Sequence, residues 1–335
     1  MKIAAIGTGH TKFGKSVDDI GTMMLDVCNQ ALNEANISID QVDSIYISNF
    51  SSRFSNQCHL PSVLASKLGV DKEITRIESA CASGGLALKE AAIAILSGLY
   101  DVVLVIGAEK MTVATTDEVI STLASAASSE EILHGSTFPS LYALMAQRHF
   151  YDFGTTEEHL AMIAVNNHKN AMNNPLAQFH KEITIDTVLS SSVIASPLKL
   201  YDCSPITDGA AAVLLCNENV ASRFVKDPVY LIGIGHDTDS IDLYNRKNIT
   251  TMPAVVTAAR KAFKISGIDQ KNIHVAEVHD CFTIAELIQL EDLGFCPKGM
   301  GKKLIEDGSI EIGGTIPVNP SGGLKAKGHP IGATG

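Results

Sequence analysis

The sequence predicts an α/β fold made of two similar halves, and an internal repeat is the main reason. Residues 6–10 (IGTGH) recur as residues 232–236 (IGIGH), and each copy ends a short apolar segment. The tripeptide IDQ at 39–41 is answered by IDQ at 268–270, each time just before an apolar strand. Two strand–helix–strand units in the same order indicate a duplicated architecture.

Within the first copy, apolar strands alternate with amphipathic helices. A helix over 18–36 precedes a strand at 45–47, and a helix over 86–99 precedes a continuous apolar strand at 102–106. Such alternation is typical of buried, mostly parallel strands covered by helices. The glycines of the GTG sequence lack the third glycine of a dinucleotide-binding fingerprint, so we interpret them as turn residues.

The segment between the copies differs in composition. Residues 111–189 are rich in His, Asn, Thr and Ser, which favours an inserted domain that covers a substrate or contacts another subunit. A buried strand led by Gly209 returns the chain to the first half, and Asp227-Pro228 is the predicted linker. The predicted domains are a first half at 1–110 plus 190–226, a loop domain at 111–189 and a second half at 227–335.

Composition excludes several classes of protein. The 335 residues carry a net charge of −11, which disfavours nucleic acid as a partner and requires any phosphate-bearing ligand to be held by a local basic patch. No apolar run reaches the roughly 18 residues of a membrane span, and the start leads directly into a strand, so we expect a cytoplasmic protein without a membrane segment. The 7 cysteines form no C-x-x-C pair, which argues against a metal site or a disulfide framework.

Cys81 is the first candidate catalytic residue. It lies among small residues, directly before the predicted helix 86–99. Unpaired N–H groups and the positive end of the helix dipole favour a thiolate there, as in reactive cysteines. The alternative for Cys81 taken alone is an inert, buried cysteine.

His279, Cys281 and His329 are the other candidates. His279 and Cys281 follow the predicted strand 274–278 and precede the predicted helix 284–293, and His329 lies between glycines and a proline. Ligands of open α/β sheets collect at the carboxyl ends of strands, so these side chains could converge with Cys81. Taken singly, the first histidine could cap a helix and Cys281 could be core packing, whereas a turn alone does not require the imidazole of His329.

These residues carry a close family resemblance. The stretches 81–83 (CAS), 279–282 (HDCF) and 328–335 (GHPIGATG) resemble three successive motifs of the thiolases, and most of all the sterol-carrier-protein-2 branch that includes archaeal acetyl-CoA acetyltransferases. The resemblance covers the whole chain. It implies the thiolase fold, with two pseudo-equivalent αβαβαββ halves, each with a five-stranded sheet, in an α-β-α-β-α layering, and a loop domain inserted in the first. Thiolases continue beyond GATG, so we expect a last helix and two strands to be missing after Gly335.

The resemblance also implies a role for each candidate. Cys81 is expected to be the acylated nucleophile and His329 the base that activates it. His279, together with His329, is expected to donate to the thioester oxygen of the second substrate, and Cys281 to remove its α-proton. Such a Claisen condensation needs a nucleophile, a base and oxyanion donors, which these side chains supply without a metal or prosthetic group.

The predicted reaction joins two acetyl-CoA into acetoacetyl-CoA and free CoA, or runs in reverse. Three alternatives stay open: thiolysis of longer 3-oxoacyl-CoA, a decarboxylating ketoacyl synthase, and a non-catalytic scaffold or lipid-binding subunit. Cys281 argues against the synthase, which lacks a second cysteine, and the combination of reactive residues argues against the scaffold. We expect the loop domain, with Arg148, Lys169 and Lys181, to line the CoA channel. Family resemblance implies a homodimer or homotetramer, and possibly association with a hydroxymethylglutaryl-CoA synthase and a small bridging protein.

Overall fold

The computed structural model describes residues 2–335. The strands in these residues are β1 (Ile3–His10), β2 (Ser44–Ser48), β3 (Glu73–Ile77), β4 (Val102–Glu109), β5 (Val193–Ala195), β6 (Leu198–Lys199), β7 (Gly209–Asn217) and β8 (Val229–Leu231). The α-helices are α1 (Ile20–Ala35), α2 (Ser52–Ser55), α3 (Leu60–Leu68), α4 (Ser83–Leu96), α5 (Thr116–Ala124), α6 (Ser129–Leu133), α7 (Phe138–Phe153), α8 (Glu157–Ala171), α9 (Ile185–Leu189), α10 (Glu218–Ala221), α11 (Pro253–Ser266), α12 (Thr283–Asp292) and α13 (Gly301–Glu306).

Contacts along the chain divide it into two compact units. The first unit comprises Met1–Val119, Ile206–Ile234 and His329–Gly335. The second unit comprises Ile120–Pro205 and Gly235–Gly328. Most of the segment that separates the sequence repeats therefore packs with most of the second copy, whereas the GHPIGATG stretch packs with the first copy.

The first unit is built on a six-stranded sheet in the order β3-β2-β4-β7-β1-β8. Strand β2 pairs in parallel with β3 and β4, but β7 is antiparallel to both β1 and β4, and β8 is antiparallel to β1. The expectation of mostly parallel strands is therefore wrong for this sheet. Strands β1 to β4 all run in one direction. Strand β7 runs in the opposite direction and lies between β1 and β4, so both of its pairings are antiparallel.

Helices cover both faces of this sheet. Met24, Val27 and Cys28 of α1 are buried against one face, and Ala87, Ala91 and Ile95 of α4 against the other. Within β1, a Cβ on either glycine of the GTG sequence would collide with carbonyl oxygens of α1. These glycines therefore permit close helix packing, and the interpretation as turn residues is wrong.

The second unit is mostly helical. Its core includes Leu160 and Ile163 of α8 together with Ile284, Leu287 and Ile288 of α12. Residues 111–189, the expected inserted domain, contain the helices α5 to α9. The second glycine of the repeat has the same role here, because a Cβ on Gly235 would overlap the Ala258 carbonyl of α11.

The strand expected at 274–278 does not form. Ala276 makes a single parallel bridge with Val318, and β5 and β6 form a separate two-stranded sheet. Residues 2–335 therefore contain no five-stranded sheet in the second half. A strand needs a continuous ladder of neighbours, and this segment has only one bridged residue. Within the same residues, no helix combines the length and apolar character needed to cross a membrane.

Candidate active site

Cys81 lies in a tight turn between β3 and α4. It is the middle residue of the 3₁₀ turn Ala80–Ala82, and α4 begins at Ser83. Ala80 has a φ of 45°, a left-handed conformation that costs energy for any residue with a side chain. Ser83 stabilises the turn by accepting a hydrogen bond from Ser79 N (2.8 Å) and donating one to Ala80 O (2.6 Å). The turn places the nucleophile candidate at the end of a central helix of the first unit.

The expected thiolate is not the resting state of Cys81. Its desolvated surroundings, followed by the negative charge of Glu109, raise the pKa of the thiol to about 12. Burial therefore outweighs the helix N-terminus, so the helix terminus alone does not make Cys81 a thiolate in the free protein. Reaction at Cys81 needs a base that accepts its proton as the sulfur attacks.

His329 is positioned to be that base. One of its ring nitrogens lies within 4.8 Å of Cys81 Sγ. The Thr334 hydroxyl donates to Pro330 O (3.2 Å) and lies 2.7 Å from His329 Nδ1. This pattern assigns Nδ1 as the protonated nitrogen that donates to Thr334, which leaves a lone pair on Nε2. The first unit thus brings together two of the four predicted residues as a nucleophile and a base.

Glu109 anchors the segment that carries His329. Its buried carboxylate accepts hydrogen bonds from Gly332 N (3.0 Å), Asn49 Nδ2 (2.8 Å), Phe50 N (2.8 Å) and Ser51 N (3.4 Å). Burial raises the pKa of Glu109 to about 7, but every one of these partners is an N–H donor and therefore favours the ionised form. A Cβ on Gly332 would lie 2.6 Å from Ala108 O, so the segment has room only for glycine there. Sequence reasoning missed Glu109, although an acid at the end of an otherwise apolar strand was a usable signal.

His279 and Cys281 belong to the second unit, in the turn that precedes α12. The backbone of this turn is held on all sides by hydrogen bonds. They run from Val278 N to Asn319 Oδ1 (2.8 Å), from His279 N to Gln289 Oε1 (3.1 Å), from Gln289 Nε2 to His279 O (2.6 Å) and from Ser204 N to Cys281 O (2.9 Å).

The chemistry of this turn fits an oxyanion donor better than a cation. Burial lowers the pKa of His279 to about 4, so its imidazole is neutral at neutral pH. A neutral imidazole still donates one N–H, which can stabilise a developing enolate oxygen. Cys281 is buried, and the ring of the following residue, Phe282, stacks on Tyr142 at 4.6 Å between centroids.

Asp280 connects this turn to the glycine-rich segment that follows Asn319. Its carboxylate accepts from Leu324 N (2.6 Å), Lys325 N (3.1 Å) and Asn167 Nδ2 (2.8 Å). Gly323 at the start of this segment has a φ of 58°, and a Cβ there would collide with the Asp280 carboxylate. Gly323 therefore leaves room for the carboxylate of Asp280, which lies between the two candidate residues and which sequence reasoning did not identify.

The basic residues proposed to line the CoA channel are mostly paired. Arg148 contacts Asp152 (2.7 Å) and Lys169 contacts Glu311 (2.7 Å). Ion pairing reduces the charge that either could offer to a phosphate. A cleft of about 470 Å³ in the second unit is lined mainly by apolar side chains and includes two acids, Glu130 and Glu131, so its charge does not suit a nucleotide phosphate either.

Comparison with known proteins finds similar sequences and structures over nearly the whole chain. Residues 3–219 match the family model described as "Thiolase, N-terminal domain", and residues 235–334 match "Thiolase C-terminal domain-like". An acetyl-CoA acetyltransferase of Methanothermobacter thermautotrophicus is 46% identical over 99% of this chain and 88% of its own length. The benzoylsuccinyl-CoA thiolase subunit BbsB of Thauera aromatica is 38% identical over 100% of this chain and 86% of its own length. The structure of human mitochondrial 3-ketoacyl-CoA thiolase in complex with CoA superposes with a TM-score of 0.76 at 18% identity, covering 100% of this chain and 88% of the other.

Proposed function

Since the chain belongs to the thiolase family, we propose that it joins two molecules of acetyl-CoA into acetoacetyl-CoA and free CoA, and catalyses the reverse thiolysis. That it is an acyltransferase follows from its family and its nearly full-length similarity to acetyl-CoA acetyltransferases. The observation that carries the proposed chemistry is the closeness of a protonated Cys81 to His329, one ring nitrogen of which lies within 4.8 Å of Cys81 Sγ.

The first half-reaction acylates Cys81. His329 Nε2 takes the thiol proton while the sulfur attacks the thioester carbonyl of acetyl-CoA. The carbonyl carbon then loses its bond to the CoA sulfur, and the leaving thiolate takes the proton from His329. The products are free CoA and an acetylated Cys81, so protons and bonds balance.

The second half-reaction forms the carbon–carbon bond. Cys281, as thiolate, removes a proton from the α-carbon of a second acetyl-CoA, and the neutral His279 donates to the enolate oxygen. The α-carbon attacks the acetyl carbonyl on Cys81, and the sulfur leaves. The proton held by Cys281 returns to the Cys81 sulfur. All of these steps use side chains of this chain, and we propose that the enzyme needs no metal or prosthetic group.

A steady-state assay tests the proposed substrate. We expect the kcat/KM for thiolysis of acetoacetyl-CoA to exceed that of 3-oxohexanoyl-CoA and 3-oxodecanoyl-CoA by about tenfold or more, because each apolar methylene contributes about 1 kcal/mol only where a pocket accepts it. Cys81→Ala serves as the blank. Preference for a longer chain would contradict the acetyl assignment and favour the 3-oxoacyl-CoA alternative. Absence of thiolysis of every substrate by the wild type would favour the non-catalytic scaffold.

We also propose a homodimer or homotetramer. In the first unit, β3 is an edge strand, and α4 together with the residues after it exposes three large apolar side chains, Ile93, Leu96 and Leu99. Exposed strand edges and apolar side chains of this kind are common at subunit interfaces. Sedimentation velocity at micromolar concentration should give a dimer or larger species. A monomer at that concentration would contradict the proposal.

Two further expectations belong with this proposal. A hydroxymethylglutaryl-CoA synthase is a candidate partner because it would consume acetoacetyl-CoA, and a small bridging protein is a candidate because it would hold the two enzymes together. A cytoplasmic location is supported by the cysteines, all 7 of which are free, as is usual in a reducing compartment.

A further inference from the structure

A buried pair of carboxyl groups lies directly behind the turn that carries His279 and Cys281. Asp280 and Glu286 are both fully buried, and each accepts a hydrogen bond of 2.8 Å from the same atom, Asn167 Nδ2. Two ionised carboxylates this close, away from water, repel each other strongly, so one of them holds a proton. The mechanism proposed above uses neither of them.

The hydrogen bonds show which carboxyl is ionised. Asp280 has three N–H donors, two of them backbone groups. Glu286 has only the two side-chain amides of Asn167 and Asn319, both on Oε2, and its Oε1 is buried without a hydrogen-bond partner among residues 2–335. Donors stabilise the charged form, so the charge resides on Asp280 and the proton on Glu286 Oε1.

Glu286 also controls the backbone of the turn through Asn319. The side-chain nitrogen of Asn319, Nδ2, donates to Glu286 Oε2 (2.8 Å), and its side-chain oxygen, Oδ1, accepts from Val278 N (2.8 Å). Asn319 itself has a φ of 50°, a left-handed conformation that these bonds help to hold. A change in the charge of Glu286 therefore reaches the residue just before His279.

We propose that Glu286 is a neutral, protonated positioning residue beside the ionised Asp280, and that it holds the His279–Cys281 turn in place for the condensation step. This proposal rests on the proposed function. The other charged groups around the pair are Glu277, on the segment before the turn, and Lys325, on the glycine-rich segment, whereas α8 and the 316–319 segment contribute amides.

The titration of the pair supports this assignment. Burial and then the charge of Asp280 raise the pKa of Glu286 to about 8, whereas the pKa of Asp280 rises less, to about 6. The pKa of Glu286 is higher in the folded state than the roughly 4.3 of a glutamate in the unfolded chain, so its protonation stabilises the fold. This contribution to the free energy of unfolding is complete below about pH 4.3 and is lost as the pH rises through the folded pKa. Above about pH 8 a second charge appears behind the turn and should loosen it.

Three variants test the proposal. Glu286→Gln keeps the shape and the neutral state, Glu286→Ala removes the contact with Asn319, and Asp280→Asn replaces a required acceptor with a donor. We expect Glu286→Gln to retain kcat within about threefold of wild type near pH 7, and Glu286→Ala and Asp280→Asn to lose about tenfold or more. In Glu286→Ala and Asp280→Asn, the intact mass after mixing with acetyl-CoA should still show acetylated Cys81, because only condensation depends on the turn.

The pH dependence of unfolding separates a proton on Glu286 from a merely structural contact. Between about pH 5 and pH 8 the unfolding temperature of wild type should fall more than that of Glu286→Gln, which cannot titrate. The proposal is overturned if Glu286→Gln loses as much activity as Glu286→Ala, or if its unfolding temperature falls as steeply as that of wild type. If Glu286→Ala does not fold, the comparison of Glu286→Gln with wild type decides alone. Failure of the wild type itself to acetylate Cys81 would instead contradict the proposed function.

Discussion

Cys81→Ala should abolish acyl-enzyme formation, and Cys281→Ala should leave it intact while stopping condensation. The two cysteines have different surroundings: Cys81 lies beside the base nitrogen of His329 in the first unit, and Cys281 lies in the hydrogen-bonded turn of the second. Acetylation of Cys81 needs the nucleophile, a base and an oxyanion donor, but it does not need an α-proton to be removed. The two variants should therefore fail at different halves of one cycle.

Intact mass spectrometry after mixing with acetyl-CoA, paired with a turnover assay, measures both steps. Turnover of either variant should fall by about four orders of magnitude or more, as for a removed nucleophile or base in other covalent mechanisms. The acetyl adduct should be absent from Cys81→Ala and present in Cys281→Ala. Cys296→Ala is a suitable control, since Cys296 lies in the second unit outside that turn. Normal turnover of Cys281→Ala would show that the base lies elsewhere.

Glu109→Gln should inactivate the enzyme almost as severely, although Glu109 is expected to touch no substrate. Its carboxylate accepts four N–H groups, one of them from the segment that carries His329. An amide offers only one acceptor oxygen and directs its own N–H toward other donors. Each buried donor left without a partner costs about 1–3 kcal/mol, so His329 should lose its place beside Cys81 and turnover should fall about a hundredfold or more.

The reactivity of Cys81 distinguishes this effect from general destabilisation. Because the charge of Glu109 raises the pKa of the Cys81 thiol, its removal should lower that pKa. The rate of iodoacetamide labelling of Cys81 as a function of pH measures the pKa, with the exposed Cys58 as an internal standard. Asp43→Asn is the control variant, because Asp43 also accepts two backbone N–H groups in the first unit, from Asp101 and Val102. A Glu109→Gln protein with normal turnover, or with an unchanged thiol pKa, would contradict this account.

The sequence alone was sufficient for the family and the fold class. Thiolase family models match both parts of the chain, and a thiolase structure superposes over all of it. The helices that follow Cys81 and Cys281 begin within a few residues of their predicted starts. These features depend on local periodicity and on motifs, which a sequence carries directly. The roles of the four candidate residues stay predictions until the variants are measured.

Tertiary structure decided the direction of β7, the absence of a strand at 274–278 and the protonation states. Strand direction depends on which segments become neighbours, and sequence order does not contain that information. The pKa of Cys81 likewise depends on desolvation and on the charge of Glu109, a residue distant in the sequence, which together outweigh the local helix terminus. The same holds for Asp280 and Glu286, whose pKa values are raised by burial at a place where Asn167, on a helix more than a hundred residues earlier, donates to both. Local pattern thus determined which residues are reactive candidates, and long-range burial and charge determined the state in which each is held.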